Sequence, residues 1–165
     1  MGLRMILQEG DPILTKSSRE VTDFGERLHI LLDDMRDTLE LADGVGLAAP
    51  QVGVLRRVIV AAPPDEDAPG GIGQWIELVN PVLLEESGEQ EDYEGCLSIP
   101  GVIGLVKRPD FVRVQAQDRN GVSFEIKGEG LLARILTHEI DHLNGKLYSR
   151  LCNELIDPDS LEDAD

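Results

Sequence analysis

Leu131-Leu132-Ala133-Arg134-Ile135-Leu136-Thr137-His138-Glu139-Ile140-Asp141-His142-Leu143 places apolar residues at 131, 132, 135, 136, 140 and 143, the recurrence of a helix with a buried face. Gly128 and Gly130 precede it and Asn144-Gly145 stop it, so a largely buried helix is expected. Residues four apart sit one turn above each other. His138 and His142 therefore project from the same face and can set two imidazole nitrogens on one metal ion at about 2.0–2.1 Å. Glu139 is rotated by roughly 100° from His138, which takes it out of ligation and toward a water beside the ion, the position a general base requires. The alternative is an ordinary helix with two surface histidines. Ile135 and Leu131, earlier on the same face, argue for apolar walls behind the pair instead.

A catalytic ion of this kind needs a third protein ligand and one open position. Glu154 and Asp157 downstream offer carboxylates, but Gly145 ends the helix and no rigid element is expected after it. Upstream stands Glu94-Gly95-Cys96-Leu97-Ser98. By itself a lone cysteine reads as a small buried hydrophobe; beside the histidine pair, Cys96 becomes the favoured third ligand. Gly44-Val45-Gly46-Leu47-Ala48-Ala49-Pro50-Gln51 lacks the Lys and Ser/Thr of a phosphate loop, and tight packing of a loop on a sheet accounts for it equally well. Gln51 stands out within it, because a buried amide must find partners.

Around these segments the chain is short and acidic. Its 165 residues argue for one domain, and 15 Lys plus Arg against 32 Asp plus Glu give a net charge of −17. That field repels phosphate backbones and anionic lipid, so neither direct nucleic-acid binding nor membrane docking is expected. Cys96 and Cys152 are too few for a disulfide framework, and no apolar run reaches the length of a signal core or a membrane span. A cytoplasmic location is expected.

Phe24, Leu28, Leu31, Leu32, Met35 and Leu39 predict a first helix that starts with Asp23 and Glu26 in a capping arrangement and ends near Asp43-Gly44. His29 on it reads as structural. Val58-Ile59-Val60 and Leu78-Val79 are of strand type, and residues 63–71 between them predict a mobile surface loop. Phe111–Gln117 and Val122–Ile126, joined by Asn120-Gly121, predict a β-hairpin. The acidic tail from Asn153 to Asp165 is expected to fray or lie on the surface.

Taken together, Gly44 to Gln51, Glu94 to Ser98 and His138 to His142 resemble the three motifs of the peptide deformylases, Gly-x-Gly-x-Ala-Ala-x-Gln, Glu-Gly-Cys-x-Ser and His-Glu-x-x-His, in the same order. The resemblance runs from Asp11-Pro12-Ile13-Leu14 through Leu143-Asn144-Gly145-Lys146-Leu147. It implies an α+β fold, with antiparallel sheets around a central helix carrying His-Glu-x-x-His, in a catalytic domain over residues 1–152 followed by an acidic C-terminal tail over 153–165. It also implies a metal-dependent hydrolase that removes the N-formyl group from the N-terminal methionine of nascent polypeptides. Cys96, His138 and His142 would hold Fe2+, which Zn2+, Ni2+ or Co2+ can replace. Glu139 would move the protons, while the Gln51 amide and the Leu97 backbone N–H would meet the oxyanion. The formylated peptide would lie as an added strand between Gly44-Val45-Gly46 and Glu94-Gly95, with its methionine against Val45, Leu131, Ile135 and the His138 ring.

Two features depart from the family pattern. Thr137 stands where many members have Gln, a change expected to act behind the ligands. The tail lacks the basic helix by which some members dock on the ribosome, so any contact there is expected to be transient proximity. The competing readings are a generic His-Glu-x-x-His metallopeptidase, which needs a downstream third ligand, and a non-catalytic module with a structural metal, which needs a fourth.

Overall fold

The computed structural model describes residues 2–65, 67, 73–152 and 154–164. Of the expected loop at 63–71, residues 66 and 68–71 lie outside the described residues, as do 153 and 165 of the tail. Helix α1 spans Glu26–Ala42. Strands β1 (Gly46–Ala48), β2 (Val58–Ala61), β3 (Ile76–Ser87), β6 (Phe111–Gln117) and β7 (Ser123–Glu129) form one antiparallel sheet in the order β1-β2-β3-β6-β7. Strands β4 (Gln90–Cys96), β5 (Ile99–Arg108) and β8 (Leu155–Ile156) form a second antiparallel sheet in that order, and helix α2 (Leu131–Leu143) packs against β7, β1, β2 and β5.

Strand β2 shows why the sequence folds this way. All four of its residues are buried, and alternation sends Val58 and Val60 to the α1 side while Ile59 goes to the α2 side. A strand covered on both faces reads as a continuous apolar run, which is how Val58-Ile59-Val60 reads. On the α1 side Leu28, Leu31, Leu32, Met35 and Leu39 meet Leu47, Val58, Val60 and Val79. On the other, Ala133, Leu136, Ile140 and Leu143 of α2 meet Ile59, Leu78, Val112, Val114 and Ala116. With those residues turned to the sheet, His138, Glu139 and His142 are left for the opposite side of α2. The hairpin forms as expected, its turn held by Asp118 Oδ1, which accepts the Asn120 and Val122 N–H groups at 2.8 and 3.0 Å.

Three expectations are corrected. The N-cap of α1 is Gly25, without a side-chain cap, because Asp23 Oδ1 instead accepts the Gly25 N–H at 2.9 Å. Strand β3 runs well past Val79, its second half pairing with β6 across a register shift at Val79/Val82. Asn80 makes that shift, with φ of 53°, its side chain bonding both backbone groups of Val21 and the Gln117 amide oxygen. Finally, the tail does not simply fray. Leu155 and Ile156, apolar in an acidic stretch, pair with Gly104 and Ile103 on the edge of β5, and a 3-10 helix follows over Pro158–Ala164. Gly104 leaves room for this: a Cβ there would stand 2.5 Å from Cys152 Sγ.

Candidate active site

Helix α2 supplies two histidines and the β4–β5 sheet supplies the thiol. One donor atom from each of Cys96, His138 and His142 lies within 4.8 Å of the others, with Cys96 Sγ 3.4 Å from His142 Nε2. The donor set, one thiolate and two imidazoles, suits a borderline-soft divalent ion. Among the described residues the group stops at three and includes neither Glu154 nor Asp157. A group of three donors, two of them (Cys96 and His138) in a cavity wall, leaves a position open, which is the pattern of a catalytic centre and not of a closed structural one. Among the described residues, no downstream ligand of the kind the peptidase reading requires is brought to the site.

His138 is oriented from behind. Its Nδ1–H donates to Glu94 Oε1 at 2.7 Å, which fixes the tautomer and leaves the Nε2 lone pair toward the other donors. Glu94 in turn accepts two bonds from Arg108, at 2.8 and 2.9 Å, and one from Arg134. Arg108 Nη1 reaches on to Asp141 Oδ2 at 2.6 Å. Burial works to raise the Glu94 carboxyl, but the Arg108 and His138 hydrogen bonds outweigh it and hold the group at about 2. Burial works to lower His138, but the Glu139 charge, the Cys96 sulfur and the Glu94 hydrogen bond together outweigh it and raise the group, whereas burial and then His138 lower His142.

Glu139 is 4% exposed, and its Oε1 has no hydrogen-bond partner. Burial pushes its carboxyl up to about 7. Gly46 on β1 makes space for it, since a Cβ there would stand 2.6 Å from Glu139 Oε2. Gln51, on the 3-10 turn Ala49–Val52 and 1% exposed, accepts the Ala48 N–H through Oε1 at 2.9 Å. Its Nε2 donates to Ser98 Oγ at 3.1 Å and, at a longer 3.5 Å, to Cys96 Sγ. Hence Gln51 bridges the glycine-rich segment to the cysteine segment, with one N–H loosely engaged at the site.

A cavity of 530 Å³ lies over these groups, and Gly44, Val45, Gly46, Glu94, Gly95, Leu97, Leu131 and Ile135 all line it with Gln51, Cys96, His138 and Glu139. His142 sits behind the cavity wall. Glu94 differs from its neighbours because its carboxylate is committed to Arg108, Arg134 and His138, so only its backbone can serve a ligand. Sequence reasoning missed Arg134 and Arg108. Arg134 had a signal, being four residues before His138 on a helix read as buried, where a charge requires a partner. Nothing local to Arg108 marks it. Tyr93, Pro100, Val102, Ile103 and Pro158 also line the cavity without having been anticipated.

The profile of the polypeptide deformylase family matches residues 3–155 of this chain. A peptide deformylase from Acetivibrio thermocellus is 50% identical over 162 residues, covering 98% of this chain and 91% of that protein. One from Alkaliphilus metalliredigens is 52% identical over 149 residues, covering 90% and 96%. The crystal structure of a peptide deformylase from Legionella pneumophila superposes with a TM-score of 0.84 at 44% identity, covering 99% of this chain and 91% of that one.

Proposed function

The chain belongs to the polypeptide deformylase family, metal-dependent hydrolases that remove the formyl group from the N-terminal methionine of nascent polypeptides, and on that premise we propose how its own residues divide the work. Cys96, His138 and His142 would hold the ion, which we assign as Fe2+, with Zn2+, Ni2+ or Co2+ able to take its place. Bound there, the ion would supply Lewis-acid chemistry for a water and for the formyl oxygen. Glu139 takes the proton of the attacking water at Oε1 and later delivers it to the departing amine as formate is released. Gln51 turns its loosely held N–H toward the oxyanion, and the Leu97 N–H meets it as a second donor. The backbones of Gly44–Gly46 and Glu94–Gly95 pair with the extended peptide, while Val45, Leu131, Ile135 and the His138 ring receive the methionine side chain. We place the reaction in the cytoplasm, in transient proximity to the ribosome and without a basic docking helix.

The observation that carries this division is Glu139 Oε1, buried and unpartnered one residue from His138 in the cavity wall. A buried acceptor left unpaired is costly, so it is poised for a group that arrives with the reaction. The test is formate release from formyl-Met-Ala-Ser by Glu139→Gln, with metal content measured on the same preparation. Turnover should fall by about 10²–10⁴-fold with metal retained. Activity within a few-fold of the parent chain would remove Glu139 from the mechanism.

A further inference from the structure

A second cavity, of 710 Å³, shares no lining residue with the active site. Its floor is apolar, with Val21, Leu28 and Leu31 buried beneath it and Val54 partly so. Around that floor stand four arginines, Arg4, Arg19, Arg27 and Arg56, against two carboxylates, Glu20 and Asp23. In a chain of net charge −17 an arginine finds acidic partners readily. Arg4, Arg36, Arg108, Arg113, Arg119 and Arg134 each sit in an ion pair. Among the described residues no ion pair engages Arg19, Arg27 or Arg56, and the Arg56 guanidinium donates only to the Leu55 carbonyl, at 3.2 Å. The backbone also holds two of these charges together. Arg19 and Arg56 face each other across an isolated parallel bridge, where the Arg19 N–H donates to the Leu55 carbonyl at 3.0 Å and the Arg57 N–H to the Arg19 carbonyl at 2.9 Å. Like charges set opposite one another are destabilising. The two carboxylates are turned elsewhere: Asp23 Oδ1 accepts the Gly25 N–H at 2.9 Å, and the charge of Glu20 acts on Arg57.

We propose that this cavity binds a small anion with an apolar body, its carboxylate or phosphate head taken by Arg19, Arg27 and Arg56 and its hydrocarbon laid on Val21, Leu28, Leu31 and Val54. The volume is that of a small-molecule site, and an apolar floor with a few convergent polar groups is the usual make-up of one. Both halves of the ligand are required. A bare anion would leave the floor wet, whereas a neutral hydrocarbon would leave three guanidinium forks without the planar acceptor they match. The charge must also be small. A polyanion such as nucleic acid meets the field of the whole acidic chain, but a single acidic head inside the cavity feels mainly the arginines within a screening length of about 8 Å. This site is independent of the deformylase reading.

The experiment follows backbone amide shifts of the zinc-loaded, 15N-labelled chain during titration with four probes. Octanoate and octyl phosphate carry head and body together, inorganic phosphate is a head alone, and 1-octanol is a body alone. The amides of Val21, Leu28, Leu31 and Val54 should shift saturably with octanoate or octyl phosphate, the tighter of the two naming the head. Inorganic phosphate and octanol should each bind at least about 10-fold more weakly. An Arg19→Gln/Arg27→Gln/Arg56→Gln variant should lose about 10-fold or more in affinity for the acidic amphiphiles while keeping formate release from formyl-Met-Ala-Ser, which reports that it is folded. Octanol bound as tightly as octanoate, an affinity unchanged in the variant, or shifts confined to the surroundings of Cys96 and His138 would overturn the inference. The comparison of the four probes on the parent chain decides the matter even where the triple variant does not fold.

Discussion

Gly46→Ala tests whether the glycine-rich segment acts on the general base, on the substrate, or on both. The added Cβ would stand 2.6 Å from Glu139 Oε2 and 3.0 Å from Cδ and Cγ, where ordinary contact begins near 3.4 Å, so the shortfall is 3.4 − 2.6 = 0.8 Å at the oxygen. Glu139 is 4% exposed and cannot swing into solvent to relieve it. Gly46 is not among the glycines with positive φ, so alanine meets no backbone strain, and its entropic gain of about 0.4–1 kcal/mol partly offsets an overpacking cost of about 1–3 kcal/mol. Stability should thus fall by about 0–2.6 kcal/mol. Catalysis should suffer more, since a misplacement of about 1 Å in a reacting group can cost on the order of 10²-fold. We expect kcat for formate release from formyl-Met-Ala-Ser to fall by about 10–10²-fold with metal content unchanged, because none of the three donor atoms is displaced. A rise confined to KM would show that Gly46 serves peptide pairing alone. Wild-type kcat would show that the carboxylate is not held in the place the structure gives it.

Gln51→Leu should lower kcat by about 10²–10³-fold with KM nearly unchanged, as expected for a donor used only when the oxyanion forms, and steady-state kinetics would show a purely KM effect if the residue bound the ground state instead. Glu94→Gln leaves Arg108 and Arg134 buried beside an amide, so thermal unfolding should reveal a loss of about 3–5 kcal/mol, and an unchanged Tm would mean that the network contributes nothing to stability. Cys96→Ala should purify with little metal whereas Cys152→Ala, which only vacates packing space near Gly104, should retain it; elemental analysis giving equal content in both would dismiss the thiolate as a ligand.

What the sequence made legible divides along a physical line. The features read correctly were those carried by local periodicity: the two helices, the hairpin closed at Asn120-Gly121, and the strand at Val58-Ile59-Val60. The His138/His142 pair belongs with them, because one helix sets its geometry. The sequence is silent where a structure depends on what lies across the fold. Arg108 is 14 residues from Glu94 and 33 from Asp141, and it meets both only because β5 returns antiparallel to β4 and passes α2. The tail's pairing with β5 was not legible for the same reason. Its acidic composition describes its solvent face correctly, but the pairing of Leu155 and Ile156 is decided by the open edge of β5 and by the absence of a side chain at Gly104. Gly46 is the instructive middle case. The sequence suggests that the space there is kept for the substrate, whereas in the structure it is already taken by Glu139, so the glycine proposed to admit the peptide strand is also the one that makes room for the proposed base.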